Sequence, residues 1–174
     1  MDRGDIRDLV RKRLGETTAA FWTNTELDSW IDEAGEDLAF KTKSIRTSGK
    51  MTTASTQEYP LATWFPNLIS ILEVYYYQNA TTWVKLTATS RDELNIQHTG
   101  WKSASAGVPI KYYQDREENV IGFYLKPDST NAGTDYAEVY YARTYTPLAT
   151  DDSIPTLPDF LHMGMVHYTV AIGY

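Results

Sequence analysis

The chain has 174 residues, a formal net charge of −7 and no cysteine. A chain of this length buries about 70% of its unfolded surface, enough for one domain or two small lobes without a staple. The composition excludes disulfides, thiolate metal sites and a cysteine nucleophile, and the negative balance disfavours gripping DNA phosphates or an anionic membrane over the whole surface.

The opening stretch "MDRGDIRDLVRKR" lacks the apolar core of a signal peptide, and no apolar run approaches a membrane span, so the chain reads as soluble and non-secreted. Ile6, Leu9, Val10 and Leu14 recur at helical spacing, with Gly15 as a stop. The basic run "RDLVRKR" on this short helix reads as a solvated face. "WTNTELDSWIDEAGEDLAFKTKSI" follows as the clearest helix. Thr23 and Glu26 form a capping box, and Trp22 and Leu27 hold the positions of a hydrophobic staple. Leu27, Trp30, Ile31, Ala34, Leu38 and Ile45 make one apolar stripe, with acids early and Lys41, Lys43 and Arg46 late, as the helix dipole favours. Gly35 costs about 1 kcal/mol relative to alanine inside a helix, so it predicts either a close approach or a kink.

From residue 47 the period changes to two. "RTSGKMTTAST" reads as a loop, and strands are predicted near 57–61, 69–78, 82–88, 110–114, 119–126 and 136–145. "NAT" at 79–81 is a short hairpin connection, and "SRDELNIQH" opens on a second capping box, Ser90 to Glu93. "KPDSTNAGTD" is an exposed loop. In "SIPTLPDFLHMGMVHYTVAIGY" Thr156 caps a helix with Pro158 and Asp159 in its first turn. Phe160, Leu161, Gly164, Tyr168 and Ile172 then share a face. The pattern reaches Tyr174 without a C-cap signal, which implies that the natural chain continues. This order predicts an α+β fold. N- and C-terminal helices form a helical bundle (1–48 and 154–174), with an inserted antiparallel β-sheet region (49–153) carrying one short helix near 91–97.

Tyrosine stands out at 13, against 5 Phe and 5 Trp. Its ring supplies area and its hydroxyl tolerates water, which suits half-buried sheet faces and interfaces. Strand alternation separates an aliphatic face from a face that mixes rings with charge. The mixed face carries Tyr75, Tyr77, Trp83, Tyr113, Tyr124 and Tyr140, which are expected to lie outward and contact a neighbouring subunit or partner if the strands share one sheet. A layer of loops within the same molecule is the competing account.

No residue pattern supports catalysis, metal binding or a cofactor. His162 and His167 are five apart, about 500° of helical turn, and so lie on different faces. "DSWIDEAGED" clusters five carboxylates, Asp28, Asp32, Glu33, Glu36 and Asp37, without the loop spacing of a calcium site, and reads as a solvated acidic face. A nucleophile elbow and a phosphate loop are both missing. "NAT" matches a glycosylation acceptor, a tripeptide common by chance.

Several pieces in fixed order resemble the head–tail adaptor (connector) proteins of tailed double-stranded DNA bacteriophages. They are "IRDLVRKRLG", "FWTNTELDSWIDEAGEDLA", "YPLATWFPNLISILEVYY", "LTATSRDELN", "GVPIKYY", "IGFYLKPD", "VYYART" and "IPTLPDFLHMGMVHYTVAIGY". The resemblance implies a non-catalytic virion protein at the head–tail junction, assembled in the host cytoplasm. Its implied partners are copies of itself in a ring, commonly a dodecamer, the phage portal protein, and a tail or tail-completion protein. Double-stranded DNA would pass through the channel without sequence-specific binding. Net negative charge suits such a channel, and Asp32, Glu33, Glu36 and Asp37 are candidate channel-facing acids. The alternative function is a carbohydrate- or receptor-binding β module of a phage tail, with an unrecognised hydrolase as a third.

Overall fold

A computed structural model describes residues 1–16, 21–79 and 81–174. In chain order the elements are α1 (Arg3–Leu14), α2 (Asn24–Thr42), β1 (Arg46–Met51), β2 (Glu58–Pro60), α3 (Leu61–Trp64), β3 (Leu68–Asn79), β4 (Thr82–Lys85), β5 (Thr87–Thr89), α4 (Arg91–Gln97), a 3-10 turn (Trp101–Ser103), β6 (Lys111–Asp115), β7 (Val120–Tyr124), β8 (Ala137–Arg143) and α5 (Asp159–Ile172). They divide into two compact units, Met1–Ile45 with Arg143–Tyr174, and Arg46–Ala142.

In the first unit, α1, α2 and α5 pack on one another. Ile6, Val10, Leu27, Ile31, Met165 and Val166 are fully buried between them, each contributing about 1.5–3 kcal/mol by leaving water. The caps are specific. Thr23 accepts the Glu26 N–H while the Glu26 side chain accepts from the Thr23 N–H. Asp2 and Asp5 form the same box on α1, and Gly15 ends it at φ 76°. Inside α2, a Cβ at Gly35 would lie 2.6 Å from the Tyr145 ring. Gly35 is therefore a close approach of the segment after β8, where another helix or a kink was expected. Gly35→Ala is expected to destabilise by about 1–3 kcal/mol, reversing the helix-propensity gain, because overpacking outweighs it. Thermal unfolding of the variant checks this, and an unchanged or higher Tm would show that Tyr145 yields.

Several expectations for this unit need correction. The basic run on α1 is not uniformly solvated: Arg7 and Arg11 are only 8% and 7% exposed. Arg7 bonds Asp28 and Asp151, and Arg11 bonds Glu16, the Trp22 carbonyl and Asn24. α5 starts at Asp159 after Pro158, with no side-chain cap from Thr156. Its buried stripe is His162, Met165, Val166 and Thr169, while Phe160 is 78% exposed. Two polar residues hide in that stripe because each satisfies its own hydrogen bond: His162 Nε2 to the Leu157 carbonyl, and Thr169 Oγ1 to the Met165 carbonyl.

The second unit overturns the predicted fold class. It is not one antiparallel sheet inserted into a helical bundle. Among the described residues the chain is a mixed α/β protein with five α-helices and two four-stranded sheets, ordered β1-β8-β3-β4 (sheet I) and β2-β7-β6-β5 (sheet II). Sheet II contains a parallel pair, β5 with β6. The predicted strand 82–88 is two strands. β4 pairs antiparallel with β3, and the chain crosses to sheet II at Leu86, which is buried and donates its N–H to the Val74 carbonyl at 2.8 Å. Uninterrupted alternation hides such a crossing, because side-chain parity says nothing about which strand lies alongside. The predicted loop 46–56 contains β1, a polar edge strand that pairs with β8 in the register Ser48 with Tyr140 and Lys50 with Glu138. Of the predicted hairpin connection 79–81, Ala80 lies outside the described residues.

Candidate functional site

The outer face of sheet I is built from alternate residues of four strands. In β3, Val74 and Tyr76 are fully buried, so Glu73, Tyr75 and Tyr77 point the other way. β4 adds Trp83 and Lys85 opposite Tyr77 and Tyr75, and β8 adds Tyr140. The Tyr75 and Tyr140 rings meet edge to face with centroids 5.7 Å apart, and Tyr77 is in contact with Trp83. Lys50 of β1 sits over this pair, 5.7 Å from the Tyr77 centroid and 5.8 Å from that of Trp83. Lys85 lies 5.9 Å above Tyr75 and bonds Glu73 at 2.6 Å. Lys85 first, and then the Tyr75 hydroxyl at 2.9 Å, holds the Glu73 carboxyl below its usual range. Trp83 is 38% and Tyr140 40% exposed. A shallow depression lined by Arg46, Thr47, Ser48, Leu72, Glu73 and Tyr140 continues the face. Each exposed cation–ring contact is worth about 0.5–1 kcal/mol, enough to order the rings before anything binds. Four of the six predicted aromatic residues, Tyr75, Tyr77, Trp83 and Tyr140, therefore share this face.

Tyr113 and Tyr124 do not. They belong to sheet II, and Tyr113 is fully buried beneath α4 and the 3-10 turn, packed with Leu94 and Trp101. Its hydroxyl donates to Glu58 at 2.6 Å. Burial first, then that carboxylate, pushes the phenol far above its usual range. Tyr124 is half-buried and stacks on His98 at 4.7 Å. The expectation that both lie outward fails because the chain covers this face of sheet II itself. Arg91 closes the cover, bonding Glu58 at 2.8 Å and Asp115 at 2.7 Å, with its guanidinium 5.6 Å from the Tyr113 centroid. An arginine in a short helix gives no sequence signal of this role, since its carboxylates lie on separate strands and turns.

The predicted acids divide as well. Asp32 is half-buried and accepts the Leu148 N–H at 3.0 Å. Desolvation raises its pKa, against the pull of that hydrogen bond. Asp37 pairs with Lys41 at 2.7 Å. Glu33 and Glu36 are exposed, and neither has an ion-pair partner among the described residues. His167 lies against Arg13, while His162 contacts the Met1 amine. Among the described residues no group of three or more His, Asp or Glu is placed to hold a metal, and no helix is long and apolar enough to cross a membrane.

This arrangement is that of a protein with a pre-ordered aromatic contact face on a mixed α/β scaffold. The chain matches the SU10 adaptor protein family over residues 1–174 and belongs to it, a family of phage head–tail adaptor proteins. It is thus a phage adaptor, a structural protein of the virion. No curated protein matches it.

Proposed function

We propose that this chain forms a ring at the head–tail junction, assembled in the host cytoplasm from copies of itself, twelve by the resemblance. The ring docks on the portal vertex, extends the channel for double-stranded DNA and offers the tail its attachment surface. Its role is non-catalytic. The observation that carries this reading, together with family membership, is the uncovered aromatic face of sheet I. Rigid, half-exposed rings without deep concavity suit a protein partner. They suit a sugar poorly, because Tyr75 meets the edge contact of Tyr140 and has Lys85 above its ring. A ring requires two different complementary patches per subunit, a heterologous contact that closes by rotation. Net charge of −7 discourages passing DNA from sticking.

Native mass spectrometry and negative-stain microscopy, with and without the portal protein, test the proposal. Closed rings, alone or on the portal, are the expected result. Trp83→Ala/Tyr140→Ala is expected to weaken assembly at least about tenfold, as loss of interface anchors does, with thermal unfolding unchanged. Monomers under both conditions would refute the ring.

A further inference from the structure

We infer that the outer face of sheet I receives the exposed ridge of α2 from a second copy of this chain. The inference rests on the ring reading above and specifies which surfaces meet. Contact between strand edges is the obvious rival for a molecule with an open sheet. The two edges of sheet I are β1 and β4, and both carry cations, Arg46 and Lys50 on one and Lys85 on the other. Like charge on both edges opposes strand pairing between copies, a common device against edge-to-edge association. The face is what remains.

Its unmet need is a carboxylate. Lys85 has Glu73, but Lys50 has no carboxylate partner among the described residues and rests over two rings. The converse surface lies on α2. Glu33, Glu36 and Phe40 are spaced three and four apart and so form one ridge. Both acids are unpaired among the described residues, and Phe40 is 66% exposed. An unpaired lysine among aromatic rings thus faces unpaired glutamates beside an aromatic ring.

The spacings agree. Lys50 and Tyr140 lie on adjacent strands, two residues out of register, since Tyr140 pairs with Ser48. That places them about 8 Å apart. Glu36 and Phe40 are one helical turn apart, about 6 Å. Lys50 can therefore meet Glu36 while Phe40 enters between Tyr140 and Trp83. The two patches come from different units of the chain, so the contact is head-to-tail, the type that closes into a ring.

The natural absence of cysteine makes cross-linking clean. Glu36→Cys and Lys50→Cys proteins, one carrying a mass tag, are mixed and treated with a short bis-maleimide, alone and on the portal. The mixed pair should cross-link at least about tenfold above a Glu36→Cys/Ser105→Cys control mixture, because docking raises local concentration to the millimolar range. A Glu36→Cys/Lys50→Cys double variant should give a ladder on a denaturing gel. If wild-type rings form but the mixed pair cross-links no better than the control, the surface assignment falls and the ring reading stands. Glu36→Cys remaining open to a maleimide in the closed ring overturns it likewise and assigns the acid to the channel. If wild type stays monomeric under both conditions and no cross-link forms, both readings fall.

Discussion

Arg7→Ala is expected to cost the helical unit about 3 kcal/mol, because it strips the charge partner from a largely buried carboxylate. The Arg7 side chain is 10% exposed and that of Asp28 18%. Arg7 Nη1 donates to Asp28 at 2.9 and 3.1 Å, and Nη2 to Asp151 at 2.6 Å. One residue thereby ties α1 to α2 and to the segment that precedes α5. Arg3 cannot substitute fully, since it lies 3.8 Å from Asp28. Urea denaturation read by circular dichroism gives the number, and a loss below about 1 kcal/mol, the range of surface pairs, would show that the pair is effectively solvated. The pH dependence has a defined sign. The hydrogen bond from Arg7, then that from Arg3, holds Asp151 at about 2. Its folded pKa lies below the unfolded value of about 4, so the unfolded state binds more protons as pH falls. The stabilisation is complete above about 4 and is lost as pH falls through about 2. The gap between wild type and Arg7→Ala should therefore narrow across that window.

Arg7 also shows what a sequence reading can reach. The helices announce themselves locally: Thr23 with Glu26, Gly15 and the stripe from Leu27 to Ala34 all act within a few residues, and the structure uses each. The partners of Arg7 are 21 and 144 residues away, so its charge looked like solvated surface. Strand parity was legible in β3, where Val74 and Tyr76 are buried and their neighbours are not. Strand partnership was not. β1, "RTSGKM", has no apolar alternation and exists because β8 pairs with it. The break at Leu86 lies inside an unbroken period-two run. Parity alone could not tell Tyr75, on an open face, from Tyr113, on a face roofed by Leu94 and Trp101. The aromatic contact surface is accordingly smaller than the six residues implied, and it gains Lys50, a residue from the predicted loop.

Gly122→Ala is expected to cost at least about 3 kcal/mol, at the upper end for overpacking. Gly122 lies directly across from Tyr113 in the β6–β7 ladder, and a Cβ there would fall inside the Tyr113 ring. Covering a cross-strand glycine with an aromatic ring stabilises a sheet where no side chain could pack. The ring has nowhere to retreat. Glu58 holds its hydroxyl, Trp101 meets it edge-on at 5.5 Å, and Arg91 lies above it. A methyl group must then either expel Tyr113, leaving Glu58 and Arg91 without it, or spread β6 from β7. Tyr113→Val removes the obstacle but opens a cavity, itself worth several kcal/mol. The double variant should therefore be less unstable than the sum of the two single changes by about 1–3 kcal/mol, the coupling expected of groups in direct contact. Additive losses in chemical denaturation would mean that the ring and the glycine do not depend on each other. The same comparison separates the two classes of tyrosine in this adaptor. Changes at Gly122 or Tyr113 should lower the unfolding temperature before any assembly is tested. Changes at Trp83 or Tyr140 should leave it in place and be felt only when another protein arrives.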